Sequence, residues 1–183
     1  MKYSRILKGS GIAGITVAAL VGAHTNYVLN TASTGGTYHP VGTAIATLSK
    51  IKLLPKEKFS LTAVNSAGSG ANVQALGANT AQFAILQGLF GSYAATGTGP
   101  VSAPQKNVRA VTMLWQNVEQ FVISNKFVKS GTASDMVAMK GEAMAMGKKN
   151  SGTIGSNRVL LKGLGIDIEK DYQPVYADFG PSA

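Results

Sequence analysis

Cysteine is absent from this chain of 183 residues, which excludes both a disulfide framework and a thiolate metal site. Histidine is scarce, since only His24 and His39 occur, and neither has a carboxylate beside it in the sequence. The eight acidic residues are spread out without metal-ligand spacing, and no serine lies in a Gly-x-Ser-x-Gly motif. We therefore expect no metal site and no catalytic residues, and predict that the chain is not an enzyme.

Charge is also low, with 14% charged residues against 45% hydrophobic residues, which is a globular composition. The formal net charge is +9, but no stripe of lysine and arginine is interleaved with aromatic residues. We therefore expect no nucleic-acid partner. A positive field of this size would instead help to collect a small anion.

Residues 1–23 have the layout of a secretory signal peptide. Lys2, Arg5 and Lys8 precede an apolar stretch over residues 12–21, and small residues follow up to Ala23. The apolar stretch is shorter than the roughly 20 residues that a membrane-spanning helix needs. The pattern predicts a periplasmic protein, with an uncleaved N-terminal anchor as the alternative.

The rest of the chain alternates between strand-like and helix-like segments, which predicts the α/β class. The predicted strands are residues 27–31, 59–64, 83–86, 108–114, 121–123, 142–146 and 172–176. Methionines such as Met136, Met139, Met144 and Met146 are interpreted as core filler.

One local pattern occurs three times in the sequence: a strand, a turn of serine, threonine and glycine, and the start of a helix. It occupies residues 33–38, 66–70 and 150–153, and its first copy reads Thr34-Gly35-Gly36-Thr37-Tyr38. A helix start carries unpartnered backbone N–H groups and a positive dipole end, and glycine lets a ligand approach them closely. These turns predict a cradle for a carboxylate or phosphate. A capped turn without a ligand is the alternative at each one.

The second turn is not a dinucleotide-binding fingerprint, because Val73 stands where a third glycine is required and no acidic residue follows about 20 residues later. Gln87 follows the third predicted strand, at the edge where open α/β sheets bind ligands. It is interpreted either as a ligand-binding residue or as a helix cap.

Several motifs, taken in order, resemble the TAXI family of solute-binding proteins of tripartite ATP-independent periplasmic (TRAP) transporters. The resemblance begins with the Gly-Gly-x-Tyr-like turn at residues 34–38 and covers nearly all of the chain after residue 23. The other segments that carry it are residues 65–69, 83–87, 108–115, 135–141, 151–153 and 171–179.

The resemblance implies a periplasmic binding protein-like fold of type II, with two α/β lobes that close on a ligand. Lobe I would span residues 24–115, and residues 116–183 would form a partial, truncated lobe II, because members of the family are typically much longer. We expect the last strand to lack neighbours and to expose an unpaired edge. Trp115 and Asn117 would lie near the crossover between the lobes.

Carried over by position, the resemblance implies a ligand-binding set drawn from both lobes. Its members are Thr34, Gly35, Gly36, Thr37, Tyr38, Ser66, Gln87, Ser151 and Thr153. The implied ligand is a small organic anion such as glutamate or 2-oxoglutarate, and the implied partners are the membrane permease subunits of the transporter. The sequence therefore predicts an extracytoplasmic receptor that binds a carboxylate non-covalently. A small α/β enzyme that acts on an anionic molecule and a ligand-sensing module are the alternatives.

Overall fold

The computed structural model describes residues 24–182. The predicted signal peptide lies outside the described residues. Within residues 24–182, no helix has both the length and the apolar character to cross a membrane.

A three-stranded parallel sheet is built from the first part of the described chain, in the order β2-β1-β3. Its strands are β1 (Thr25–Asn30), β2 (Phe59–Val64) and β3 (Phe83–Ala84). Thr25 pairs with Phe59 and Asn30 with Val64, so β1 and β2 run in register along their whole length. The rings of Tyr27, Phe59 and Phe83 lie together on these three strands, with centroids 5.3 to 6.0 Å apart.

Four helices lie in the segments that follow the strands of this sheet. They are α1 (Tyr38–Lys52), α2 (Leu54–Glu57), α3 (Ser69–Gly77) and α4 (Gly88–Thr96). Helix α1 buries Gly42, Ala46 and Ser49, which are spaced along one helical face. Asn72 of α3 is fully buried, and its amide donates to the carbonyls of Thr31 and Ile85. It thereby ties α3 to the ends of the strands.

A second, two-stranded parallel sheet is formed later in the chain by β4 (Ala143–Ala145) and β5 (Gln173–Val175). Helices α5 (Gly152–Gly163), α6 (Ile168–Asp171) and α7 (Phe179–Ser182) belong to this part, together with 3₁₀ segments at Asn125–Phe127 and Ala133–Met139. Their core contains Met136, Met139, Met146, Ile154, Leu161, Ile166, Ile168 and Tyr172. The interpretation of the methionines as core residues is confirmed for the three of them in this cluster.

Asp135 holds the loop before the second 3₁₀ segment in place. Its carboxylate accepts hydrogen bonds from the Ser130 hydroxyl (2.7 Å) and from the backbone N–H groups of Lys129, Ser130 and Gly131 (2.9 to 3.0 Å). The Ser130 hydroxyl and these amides favour the ionised form, and they lower the pKa of Asp135 to about 2.

Two of the predicted strands are wrong. Residues 108–114 and 121–123 form no strand, and Val111, Met113 and Val122 are 80 to 94% exposed. Alternating apolar residues favour an extended chain, but a strand also needs a neighbouring strand for its backbone hydrogen bonds, and no described residue supplies one here. The expectation that the last strand lacks neighbours is wrong on one side, because β5 pairs with β4, whereas no described strand pairs with its other edge.

Candidate functional site

The three predicted turns open onto one cavity of about 140 Å³ that lies between the two sheets. Residues of all three turns form its wall, together with the end of β3, the segment after α4 and the segment after β5. The lining residues are Ala32, Ser33, Gly36, Thr37, Tyr38, Ala67, Gly68, Ser69, Gln87, Trp115, Asn117, Lys148, Ser151, Gly152, Thr153, Ala177, Asp178 and Phe179.

The first wall is the turn from β1 into α1. The N–H of Gly36 donates to the carbonyl of Ser33 at 3.0 Å, which closes the turn. A Cβ at Gly36 would lie 2.9 Å from the ring of Phe179, so the absence of a side chain lets that ring cover the turn. Thr37 is the N-cap residue of α1, and its side chain makes no capping hydrogen bond. The Thr37 hydroxyl is therefore not committed to the helix.

Tyr38 is the aromatic residue of this wall. Its ring packs edge-on against Trp115, with the ring centroids 5.6 Å apart. Burial raises the pKa of Tyr38, and the neighbouring Ser69 hydroxyl opposes that shift. At neutral pH the phenol is therefore a neutral hydrogen-bonding group inside the cavity.

The second wall is the start of α3. Gly68, its N-cap residue, has a φ of 115°, a conformation that favours glycine. The Ser69 hydroxyl accepts a hydrogen bond from the N–H of Gln87 at 3.1 Å and so joins the starts of α3 and α4. Ser66 does not line the cavity. Its hydroxyl instead accepts from the N–H of Gly68 (3.0 Å) and lies 2.7 Å from Oδ1 of buried Asn72.

The third wall is the start of α5. The Ser151 hydroxyl accepts from the N–H of Ile154 at 3.2 Å and caps the helix. The carbonyl of Asn150 accepts from the N–H of Ala71 at 3.0 Å, which brings this wall against the start of α3. A Cβ at Gly70 would lie 2.7 Å from that same carbonyl oxygen. Glycine is thus required where the two walls meet.

Gln87 contacts both parts of the structure. It is the N-cap residue of α4, with no side-chain capping bond, and its Oε1 accepts from the Ser156 hydroxyl on α5 at 3.2 Å. Gln87 thus occupies the cap position without capping the helix by its side chain and also lines the cavity, and its role as a ligand-binding residue stays a prediction.

Two charged side chains line the cavity, Lys148 and Asp178. Oδ1 of Asp178 accepts from the Ser33 hydroxyl at 2.7 Å and from the N–H of Phe179 at 2.9 Å. Oδ2 lies 3.4 Å from Nζ of Lys148. The Ser33 hydroxyl is the largest cause that lowers the pKa of Asp178, followed by the Phe179 amide and then Lys148.

The N-cap residues of four helices, α1, α3, α4 and α5, thus line a single cavity, where two parallel sheets end. The first N–H groups of a helix have no acceptor within the helix, so such a cavity is suited to an anionic group. A family model for the NMT1-like family matches residues 29–183. The chain belongs to the NMT1-like family.

The NMT1-like family is a periplasmic binding-protein-like family related to TRAP solute-binding proteins. Its members are typically extracytoplasmic and generally non-enzymatic, and the family indicates a role in solute binding. The mixed α/β structure with parallel sheets is consistent with a periplasmic binding protein-like fold. Among residues 24–182, no group of three or more side chains of the metal-binding types lies together.

Most of the predicted site residues come together in this member of the NMT1-like family. Those that line the cavity are Gly36, Thr37, Tyr38, Gln87, Ser151 and Thr153. Thr34 and Gly35, which are exposed, do not line it. Ser66 is turned toward Asn72, so these three residues lie outside the cavity lining, and their predicted role in ligand binding stays a prediction.

Sequence reasoning missed Ser33, Ser69, Lys148 and Asp178 as lining residues. One signal could have indicated Asp178, which comes three residues after the end of β5. The carboxyl ends of parallel strands are where such sheets bind ligands. Trp115 and Asn117, which were expected near a crossover, also line the cavity.

Proposed function

We propose that this chain is the extracytoplasmic receptor of a TRAP transporter, of the TAXI type, and that it binds a small organic anion such as glutamate or 2-oxoglutarate. The observation that carries the proposal is the meeting of four helix starts at one cavity, at Thr37, Gly68, Gln87 and Ser151. Family membership supports the receptor role, and the motif resemblance supports the transporter type.

The binding mechanism is non-covalent. Backbone N–H groups at the starts of α1, α3 and α5 donate to the ligand carboxylate, and the helix dipoles favour its negative charge. The hydroxyls of Thr37 and Thr153 add further donors. The rings of Tyr38 and Trp115, which already pack together, form the apolar side of the ligand site.

Closure is the second part of the proposal. Residues 24–115 act as one lobe and residues 116–183 as part of another, and the cavity lies where the two approach. Hydrogen bonds already cross this boundary between Ser33 and Asp178, between Ala71 and Asn150, and between Gln87 and Ser156. A ligand that bridges the walls would strengthen the closed form and present it to membrane permease subunits.

Thermal-shift and calorimetric titration of the purified chain with glutamate, 2-oxoglutarate and uncharged sugars test the proposal. We expect the carboxylates to raise the melting temperature and the sugars to leave it unchanged. Stabilisation by sugars alone would refute the proposal that the helix starts bind an anion.

A matched pair of threonine variants tests the location of the site. Thr37→Val removes a hydroxyl that lines the cavity and makes no capping bond, whereas Thr34→Val removes an exposed hydroxyl next to it. We expect Thr37→Val to weaken carboxylate binding about 2- to 10-fold, the value of one hydrogen bond. Thr34→Val should bind as the parent does, and equal losses in both variants would place the ligand elsewhere.

A further inference from the structure

The charged side chains among the described residues that line the cavity carry no net charge. Of the side chains that line it, one is basic (Lys148) and one is acidic (Asp178), although the whole chain has a formal net charge of +9. A carboxylate on the wall repels a second carboxylate at short range. Asp178 therefore weakens the attraction that Lys148 and the helix starts exert on a ligand that brings only negative charge.

The carboxylate of Asp178 is held in a defined orientation. Oδ1 accepts two hydrogen bonds, from Ser33 in the β1–α1 turn and from the N–H of Phe179. Oδ2 accepts a long hydrogen bond, 3.4 Å, from Nζ of Lys148 in an ion pair, and the side chains of Asp178 and Lys148 are 35% and 45% exposed. Oδ2 is thus the oxygen that can take a stronger partner from a ligand.

The cavity therefore combines two kinds of recognition group. The helix starts offer N–H donors to a carboxylate, and Oδ2 of Asp178 offers an anionic acceptor to a cation. Because the Ser33 hydroxyl and the Phe179 amide favour its ionised form and lower its pKa, Asp178 remains charged at neutral pH. A ligand that carries both a carboxylate and a protonated amine satisfies both groups at once.

We propose that Asp178 determines specificity at this site and that the cavity selects amino-acid zwitterions over 2-oxo acids of the same shape. The proposal rests on the proposed function, in which the cavity is the solute site, and it narrows the ligand class. Glutamate would bind more tightly than 2-oxoglutarate, which has an oxo group in place of the amine.

Pairs of ligands that differ only at this group test the inference. The purified chain is titrated with L-glutamate and 2-oxoglutarate, and with L-alanine and pyruvate, by calorimetry at pH 7. We expect the amino member of at least one pair to bind about 10- to 100-fold more tightly, the effect of a hydrogen bond to a charged group.

Asp178→Asn keeps acceptors for Ser33 and Phe179 but removes the charge. We expect this variant to lose the preference for the amino member, while the affinity for the 2-oxo member stays equal or rises. Glu142→Gln is the matched control, because it removes a partly exposed carboxylate that does not line the cavity. Circular dichroism melts of each variant verify folding. If Asp178→Asn does not fold, the relative affinities of the parent chain for the two members of each ligand pair test the inference.

The outcomes separate this inference from the proposed function. Equal or tighter binding of the 2-oxo acids overturns the role of Asp178 and leaves the carboxylate receptor intact. An amino-acid preference that survives in Asp178→Asn also overturns it. Binding of none of these carboxylates overturns both.

Discussion

The substitution Gly70→Ala, which adds a single methyl group, tests how the cavity is assembled. Gly70 is the second residue of α3, and a Cβ built on it would lie 2.7 Å from the carbonyl oxygen of Asn150 and 3.1 Å from its carbonyl carbon. A relaxed contact between such atoms needs about 3.5 Å. Both neighbours are backbone atoms, so Gly70→Ala must separate α3 from the segment that leads into α5.

The magnitude follows from three terms. Overpacking of this kind destabilises by about 1–3 kcal/mol. Stretching the hydrogen bond from Ala71 to Asn150, now 3.0 Å, removes about 1 kcal/mol more. The higher helix propensity of alanine returns at most about 1 kcal/mol. We expect Gly70→Ala to lower the free energy of unfolding by about 1–3 kcal/mol, and the melting temperature by about 2–4 °C for each kcal/mol.

Urea denaturation followed by circular dichroism measures this change. Gly163→Ala is the matched control, because Gly163 ends α5 and no atom lies within 4 Å of the place that its Cβ would occupy. The control should be as stable as the parent chain or slightly more stable. Ligand affinity should fall in Gly70→Ala alone, since its two walls move apart. If Gly70→Ala matched Gly163→Ala in both stability and affinity, the close approach of α3 to Asn150 would be wrong.

Three further predictions concern contacts in other parts of the described structure. Gly155→Ala places a Cβ 2.5 Å from the buried ring of Phe90, so we expect a loss of about 1–3 kcal/mol in urea denaturation, partly recovered when Phe90→Leu is added. Tyr172→Phe removes a 2.8 Å hydrogen bond to the carbonyl of Met136 and should destabilise by about 1 kcal/mol in the same assay. The folded-state pKa of Asp135 is lowered to about 2, so the stability that Asp135 contributes is present above its unfolded pKa and is lost as the pH falls from about 4 to 2. Asp135→Asn should flatten that part of the pH–stability curve.

Each of these three has an outcome that contradicts it. Full stability of Gly155→Ala would mean that α5 does not approach the ring of Phe90 so closely. Unchanged stability of Tyr172→Phe would show that the hydroxyl is solvated in solution. A curve for Asp135→Asn that falls below pH 4 as steeply as the parent's would assign the acid sensitivity to other carboxylates.

The local sequence predicted a strand or helix correctly where both that segment and the segment that it packs against have a clear apolar periodicity. The apolar alternation of residues 59–64 became β2, and the spacing of Val41, Ile45 and Leu48 became α1. The same reasoning failed for residues 108–114, which have strand-like composition but lie unpaired in the described structure. The strand propensity of a residue reflects how well its side chain packs against a neighbouring strand. The local sequence does not say whether such a neighbour is present.

The residues of the candidate site likewise fall into those that the sequence could predict and those that it could not. The turns at residues 33–38, 66–70 and 150–153 could be recognised because their small residues precede helical periodicity. Lys148 could not, because a lone charged residue has no periodicity, and the one signal for Asp178 was its position three residues after the end of β5.

The sequence by itself determined the helix starts, since glycine and hydroxyl residues set backbone freedom and capping within a few residues of chain. Only the tertiary structure decided that these starts share one cavity, that Ser66 supports Asn72 rather than lining it, and that Asp178 adds a negative charge there. The physical reason is the distance along the chain over which each kind of interaction acts. Turn chemistry acts between residues that are neighbours in the chain, whereas the contact of Ser33 with Asp178 joins residues 145 positions apart, and only the packing of the two sheets brings them together.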